Sequence, residues 1–175
     1  RTGVSEAAFF LSALYYTAAR LTNSDSVYLS TISSGRSDVR FSDTYGMFVN
    51  TLPLSSVLSR GNIDDYIRNT AEDYRQAIAH ENYPFAAVAS QWGFSVQLMY
   101  AYQRGIVQRS EIPGLTGVEA GEADLLKFPM FIRMVDDGDA PAIEIEYDDA
   151  KYSRELAEKI GRFLAVVVAR FAEDG

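Results

Sequence analysis

The order in which two hydrophobic periodicities alternate along the chain most constrains its fold. Apolar residues recur at three- and four-residue spacing in some segments, which predicts amphipathic helices. The helical segments are 5–22, 62–79, 85–91 and 153–172. Other segments are short, and either apolar throughout or alternating with polar residues, which predicts extended strands. The strand-like segments are 27–33, 46–54, 95–103, 125–135 and 142–148.

This order predicts an α/β fold, more narrowly a mixed α+β sandwich in which helices cover one mixed sheet. Helical and strand segments interleave from end to end, so the chain does not divide into an α part and a β part. The 175 residues, of which 47% are hydrophobic, suffice for one core. We therefore expect residues 1–175 to form a single domain.

Composition excludes several classes of function. The absence of cysteine excludes a disulfide scaffold, and the single histidine, His80, excludes catalysis that needs two histidines from this chain. A net charge of −8 argues against a nucleic-acid partner. No apolar segment reaches the ~18 residues that span a membrane, and no signal peptide is recognisable. Because the first residue is Arg1, we expect a cytoplasmic piece of a longer polypeptide.

Two isolated features suggest chemistry but do not establish it. His80 could act as a base, yet no Gly-x-Ser-x-Gly elbow accompanies it, and a histidine at a helix C-terminus commonly bonds the last carbonyls. The acidic segment 136–139 lacks the alternating carboxylates of a calcium loop, so a hairpin turn is favoured. Residue spacing therefore predicts no catalytic residue and no metal ligand.

Several segments resemble core motifs of the condensation domains of nonribosomal peptide synthetases. Gly-Met-Phe-Val-Asn-Thr at 46–51 is similar to the family's G-x-F-V-N-T motif. His-Glu-Asn-Tyr-Pro-Phe at 80–85 is similar to its (H/N)-Q-D-x-P-F motif, with Glu81 and Asn82 replacing Gln and Asp. Weaker matches in the family's order lie at 33–36, 98–103 and 146–148. The family's Arg-Asp-x-Ser-Arg-Asn-Pro-Leu motif is not recognisable near 91–98.

The resemblance implies the C-terminal lobe of a two-lobed fold of the chloramphenicol-acetyltransferase type. The family's catalytic His-His-x-x-x-Asp-Gly lies in the N-terminal lobe, and nothing here matches it, since Pro84 stands four residues after the single histidine. A complete domain forms an amide bond between two thioesters carried on phosphopantetheine arms. The implied partners are the N-terminal lobe, peptidyl carrier proteins and adjacent synthetase modules, and no cofactor is expected to bind this chain directly.

The resemblance also implies roles for individual residues. The segment expected at the lobe interface near the substrate tunnel comprises Gly46, Met47, Phe48, Val49, Asn50 and Thr51. Arg36 is expected to hold the aspartate of the catalytic motif across the lobes, because a guanidinium suits a fixed bidentate contact. An equal alternative for Asn50 is a local role, satisfying neighbouring backbone. Structural roles are expected for His80, Tyr83, Pro84 and Phe85.

Two functions are compatible with these motifs. In the first, the chain is half of an amide-forming condensation domain and is inactive alone. In the second, it belongs to a degenerate condensation-like module that docks carrier proteins or partner enzymes without chemistry. An intact catalytic motif upstream would favour the first function, and a broken motif the second.

Overall fold

One mixed sheet of five strands organises the chain. The computed structural model describes residues 3–58, 61–104, 126–136 and 141–174. The strands are β1 (Ser26–Ser33), β2 (Asn50–Val57), β3 (Leu98–Arg104), β4 (Met130–Asp136) and β5 (Ala142–Tyr147). In space their order is β2-β1-β3-β4-β5. The three central strands are parallel, whereas β2 and β5 are antiparallel to their neighbours, so the predicted fold class is confirmed.

Three of the four α-helices in the described residues begin at a polar cap residue, and the short helix at 85–92 follows a proline instead. They are α1 (Glu6–Thr22), α2 (Ile63–Ala79), α3 (Phe85–Trp92) and α4 (Arg154–Asp174). The Ser5 hydroxyl accepts a hydrogen bond from the Ala8 N–H at 3.3 Å, and the Asn62 side chain accepts one from the Asp64 N–H at 2.9 Å. These bonds satisfy N–H groups that a helix N-terminus otherwise leaves free, so the two predicted helix starts are confirmed.

The core lies between the sheet and a layer of three helices. Helix α1 packs between α2 and α4 and against β1 and β3. The largest fully buried side chains include Leu11, Leu14, Leu29, Ile67, Tyr100, Ile132, Met134 and Leu164. The Tyr100 hydroxyl donates to the Ala7 carbonyl of α1 at 2.7 Å, so the polar end of this buried ring is satisfied. The short helix α3 instead lies against the edge strand β2.

Some predicted boundaries are wrong. Strand β2 begins at Asn50 rather than at 46, because Arg36 binds the Gly46 carbonyl and keeps the preceding residues in a loop. Strands β3 and β4 also begin later than predicted, at 98 and 130. On α4, Leu156 is 38% exposed, and Ala157, which is 5% exposed and lies seven residues before the buried Leu164, faces the core instead. Residues 137–139 of the predicted hairpin turn lie outside the described residues.

Candidate functional site

Three of the recognised motif segments meet at one end of the sheet. Ser33, the last residue of β1, pairs across the strands with Asn50, the first residue of β2. The loop 34–49 connects these two residues. The turn that follows α2, at 80–84, is bonded to both ends of this loop. Segments far apart in sequence therefore build one site from the loop and the turn.

Asn50 ties β2 to the turn with all the bonding groups of its side chain. Its Nδ2 donates to the carbonyls of Glu81 and Tyr83, each at 2.7 Å. Its Oδ1 accepts from the N–H of Thr51 at 3.0 Å and from the N–H of Phe85 at 3.4 Å. Both amide donors are thus used within this chain. These are the bonds expected from the local alternative for Asn50.

The Arg36 guanidinium organises the loop from inside. Its Nη1 donates to the carbonyls of Phe41 at 2.5 Å and Thr44 at 2.7 Å, and its Nη2 donates to the Gly46 carbonyl at 3.1 Å. The guanidinium carbon lies 4.5 Å from the centroid of the Phe48 ring, in a cation–π contact. A planar, permanently charged fork suits several fixed acceptors at once. One side chain therefore holds residues 41–48 in a defined path.

The tightest approach of backbone to backbone occurs at Gly35. Its φ of +66° lies in the left-handed region, and a Cβ at this position would stand 2.1 Å from the Phe48 carbonyl oxygen. Gly46 is less constrained sterically, since its Cβ would lie 3.1 Å from Cε2 of the Phe48 ring. A glycine is therefore required at position 35, within the matched segment 33–36, both by its conformation and by the space available.

Glu81 is the site residue that the sequence analysis recorded but gave no role. It is only 4% exposed, and its Oε1 accepts from the Ser37 N–H at 3.0 Å. Its Oε2 accepts from the Ser33 hydroxyl. Burial raises the pKa of the Glu81 carboxyl, but the hydrogen bonds from Ser33, Ser37 and the Gly35 backbone outweigh burial and hold that pKa below its usual value. The signal available in the sequence was that Glu81 stands where the family's motif has glutamine.

The remaining residues of the second motif shape the turn. The His80 N–H donates to the Ala77 carbonyl at 3.1 Å and ends α2, so the backbone makes this bond rather than the imidazole. Pro84, with φ −64°, precedes the first residue of α3. The Phe85 ring packs edge-to-face on Phe94, with centroids 6.0 Å apart. Tyr83 is exposed.

The outer surface of the loop is apolar and open. Tyr45 is fully exposed, Met47 is 88% exposed, and Val49 is also exposed, whereas the intervening Phe48 turns inward to the Arg36 guanidinium. A groove of about 560 Å³ lies nearby, between β2 and α3. Its lining includes Leu52, Pro53, Ala77, His80, Tyr83 and Val88. Large exposed apolar patches are typical of binding surfaces, whereas single exposed apolar residues are common on any protein.

The described residues contain no group of three His, Asp or Glu side chains arranged to hold a metal ion. In the same part of the chain, no helix combines the length and the hydropathy needed to cross a membrane.

Comparison with known proteins connects this geometry with a family. The family model for the condensation domain matches residues 1–175. CymA of Salinispora arenicola, a probable non-canonical nonribosomal peptide synthetase, is 28% identical over 172 residues, which are 90% of this chain and 2% of that protein. Bacitracin synthase 1 of Bacillus licheniformis is 23% identical over 171 residues, 90% of this chain and 3% of that protein. The chain thus spans a small part of these relatives.

Solved structures share the fold at low sequence identity. The condensation domain of the monacolin K polyketide synthase MokA superposes with a TM-score of 0.79 at 18% identity, over 95% of this chain and 41% of that chain. The X-domain solved in complex with OxyB from teicoplanin biosynthesis gives 0.78 at 19% identity, over 98% and 41%. The match along all residues and the common fold show that this chain belongs to the condensation-domain family.

Proposed function

We propose that this chain is the C-terminal lobe of a condensation domain in a nonribosomal peptide synthetase. One observation carries the proposal: the condensation-domain model matches all of residues 1–175, yet the chain covers only 41% of the solved MokA domain. The single histidine, His80, ends a helix, and Pro84 occupies the place of the motif's aspartate. The catalytic motif would therefore come from the N-terminal lobe, and this chain alone would be inactive.

The complete domain would form an amide bond between two carrier-bound thioesters. The amine of the acceptor attacks the donor's thioester carbonyl; a C–N bond forms, the C–S bond breaks, and the thiol of the donor's phosphopantetheine arm leaves. The second histidine of the N-terminal lobe would position the amine and assist loss of its proton. Peptidyl carrier proteins and adjacent synthetase modules are the proposed partners, and the phosphopantetheine arms belong to the carrier proteins.

In this proposal, the loop 34–49 and the start of β2 form the wall facing the N-terminal lobe. The exposed Tyr45, Met47 and Val49 support this placement, because they give the loop an apolar outer surface. The bonds of Arg36 within the described residues use three of the five guanidinium N–H groups. These three bonds do not use the Nε–H or one of the Nη2–H groups, and an Nε–H and Nη2–H pair can bind a carboxylate side-on. The proposed contact of Arg36 with the motif's aspartate would use this pair.

A comparison of two histidines tests the proposed function. In the longer polypeptide that carries this chain, replacing the second histidine of the upstream motif by alanine is expected to lower the rate of amide formation ~100-fold or more. His80→Ala is expected to change kcat and the melting temperature little, because the His80 backbone N–H ends α2, alanine also provides that N–H, and the His80 side chain is exposed. The rate is measured with donor and acceptor carrier proteins loaded with thioesters. A large loss of kcat in His80→Ala with an unchanged melting temperature would contradict the assignment.

A second function is favoured by one structural neighbour. The X-domain, which shares the fold with a TM-score of 0.78, was solved in complex with another protein, OxyB. The replacement of Gln and Asp by Glu81 and Asn82 in the second motif is in line with a divergent member. A docking module would bind loaded carrier proteins or a partner enzyme but form no amide, and its upstream motif would be broken. The same assay, paired with a binding measurement, separates the two functions.

A further inference from the structure

We propose that Glu81 is a positioning residue whose buried carboxylate fixes the loop 34–49, the wall of the proposed reaction site. The effect on the loop stands on the geometry alone, whereas the effect on amide formation rests on the proposed function. Glu81 lies on the turn after α2, outside the loop itself. It therefore acts on the loop from a separate element of the fold.

Glu81 is bonded to both ends of the loop. Its carboxylate accepts from the Ser33 hydroxyl, at the end of β1, and its backbone carbonyl accepts from Asn50 Nδ2, at the start of β2, at 2.7 Å. The other carboxylate oxygen reaches past the tight turn at Gly35 to the Ser37 N–H at 3.0 Å. Three separate points of the chain, 33, 37 and 50, are therefore held by one residue. Arg36 stands between the first two points, so its direction is fixed by both bonds.

The ionised carboxylate determines the direction of the bonds that it accepts. A carboxylate only accepts hydrogen bonds, so the Ser33 hydroxyl must donate to Glu81. The Ser33 oxygen is then free to accept from the Gly35 N–H, which lies 3.2 Å away. A glutamine can still accept from the Ser37 N–H, but its amide NH2 can only donate to the Ser33 oxygen, so the Ser33 hydroxyl has to turn away and the charge-assisted bond is lost. Protonated Glu81 has the same limitation, since one oxygen then becomes a donor.

The surrounding charges do not explain why this carboxylate is ionised. Arg75 of α2 and Asp38 of the loop line the cavity beside Glu81, but each forms an ion pair with a neighbour on its own segment. Arg36 is directed to carbonyls of the loop, and the adjacent His80 lines the groove beside β2. The hydrogen bonds from the loop therefore keep the pKa of the Glu81 carboxyl below its usual value despite burial. Protonation and loosening of the loop are accordingly linked.

Hydrogen exchange of the backbone amides at 36–46 tests this role in the longer polypeptide. At pH 7, Glu81→Ala is expected to raise these exchange rates about tenfold or more, and Glu81→Gln by a smaller factor, because glutamine keeps the bond from Ser37 and replaces the charge-assisted bond from Ser33 by a reversed, neutral one. Glu158→Gln is the matched control: it removes an exposed carboxylate on α4 whose pKa is also lowered, by hydrogen bonding to Arg154, and it should leave the loop unchanged. Equal exchange rates in the wild type, Glu81→Ala and Glu81→Gln would overturn the proposal.

The dependence on pH distinguishes positioning by the ionised group from packing. Because the pKa of Glu81 is lowered in the folded state, its contribution is present above the ordinary carboxyl pKa of 4.5 and is lost as the pH falls through the folded value. The ratio of exchange rates between Glu81→Gln and the wild type should therefore approach one as the pH falls from 7 through the lowered pKa of Glu81. A ratio that does not change with pH contradicts the role of the charge.

Amide formation gives the functional readout. Glu81→Ala is expected to lower kcat/KM at pH 7, and Glu81→Gln is expected to lower it less. As the pH falls, the wild type should lose kcat/KM because Glu81 becomes protonated, and both variants should lack this loss. An unchanged kcat/KM in Glu81→Ala, in a polypeptide whose wild type is active, would overturn the effect on the reaction. If the wild type forms no amide, the proposed function fails, while the exchange data still decide whether Glu81 holds the loop.

Discussion

Replacing Gly35 by alanine is expected to destabilise the chain by about 2–5 kcal/mol, one of the two largest effects we predict. The methyl group would stand 2.1 Å from the Phe48 carbonyl oxygen, and that oxygen belongs to backbone that cannot rotate away. The φ of +66° adds the strain that any L-residue meets in the left-handed region. The loop would have to leave Phe48, and the Arg36 contacts would be lost with it. Urea denaturation followed by circular dichroism measures the loss.

Gly93→Ala is the matched control for this substitution. Gly93 ends α3 with a φ of +62°, close to that of Gly35, but nothing lies within 4 Å of its added Cβ. Its replacement should cost only the conformational strain, about 1–2 kcal/mol. The difference between the two variants therefore isolates the close approach of Gly35 to Phe48. Equal losses in the two variants would show that the loop does not close on Gly35 in this way.

The second large effect is expected at Asn50. Replacement by alanine removes two donors and leaves the carbonyls of Glu81 and Tyr83 without their partner, along with the N–H groups that Oδ1 accepts. We expect a loss of about 1–3 kcal/mol in the free energy of unfolding. Asn50→Asp should cost at least as much at pH 7, because it directs a carboxylate at two carbonyl oxygens. Urea denaturation at pH 7 compares the two variants.

Asn69 provides the control for Asn50. It is exposed on α2, so Asn69→Ala should change the free energy of unfolding by no more than about 0.5 kcal/mol. The prediction concerns the bonds of one amide rather than the loss of an asparagine in general. If Asn50→Ala were as stable as Asn69→Ala, the hydrogen bonds between Asn50 and the turn would make no contribution to the free energy of unfolding.

Local signals in the sequence were sufficient for most of the fold. The caps at Ser5 and Asn62 and the helical periodicity identified the helix starts, since these depend on residues a few positions apart. The hairpin of β4 and β5 followed from two alternating segments close in sequence. The order of the strands could not be derived, because the parallel pairing of β1 with β3 depends on contacts between distant residues.

The candidate site was predictable in its residues but not in its bonds. The motif resemblance selected Arg36, Asn50 and the segment at 80–85 from the sequence alone. The bond of Glu81 to Ser33 joins residues 48 positions apart, and no periodicity indicates such a pair. For the same reason, the start of β2 was placed too early: the carbonyl of Gly46 is bound by a side chain ten residues upstream. The features that the sequence did not predict, the Glu81 bond and the start of β2, therefore depend on hydrogen bonds between residues far apart in the sequence.

The central claim is that this chain is one lobe of a two-lobed enzyme. The most direct test is to divide the longer polypeptide immediately before residue 1 and to study the two halves. Each half is purified and assayed for amide formation with thioester-loaded donor and acceptor carrier proteins, first alone and then mixed. We predict no product from either half alone and product from the mixture, since the catalytic histidines and the wall built by the loop 34–49 would lie on different halves. Amide formation by the 175-residue chain alone would contradict the account.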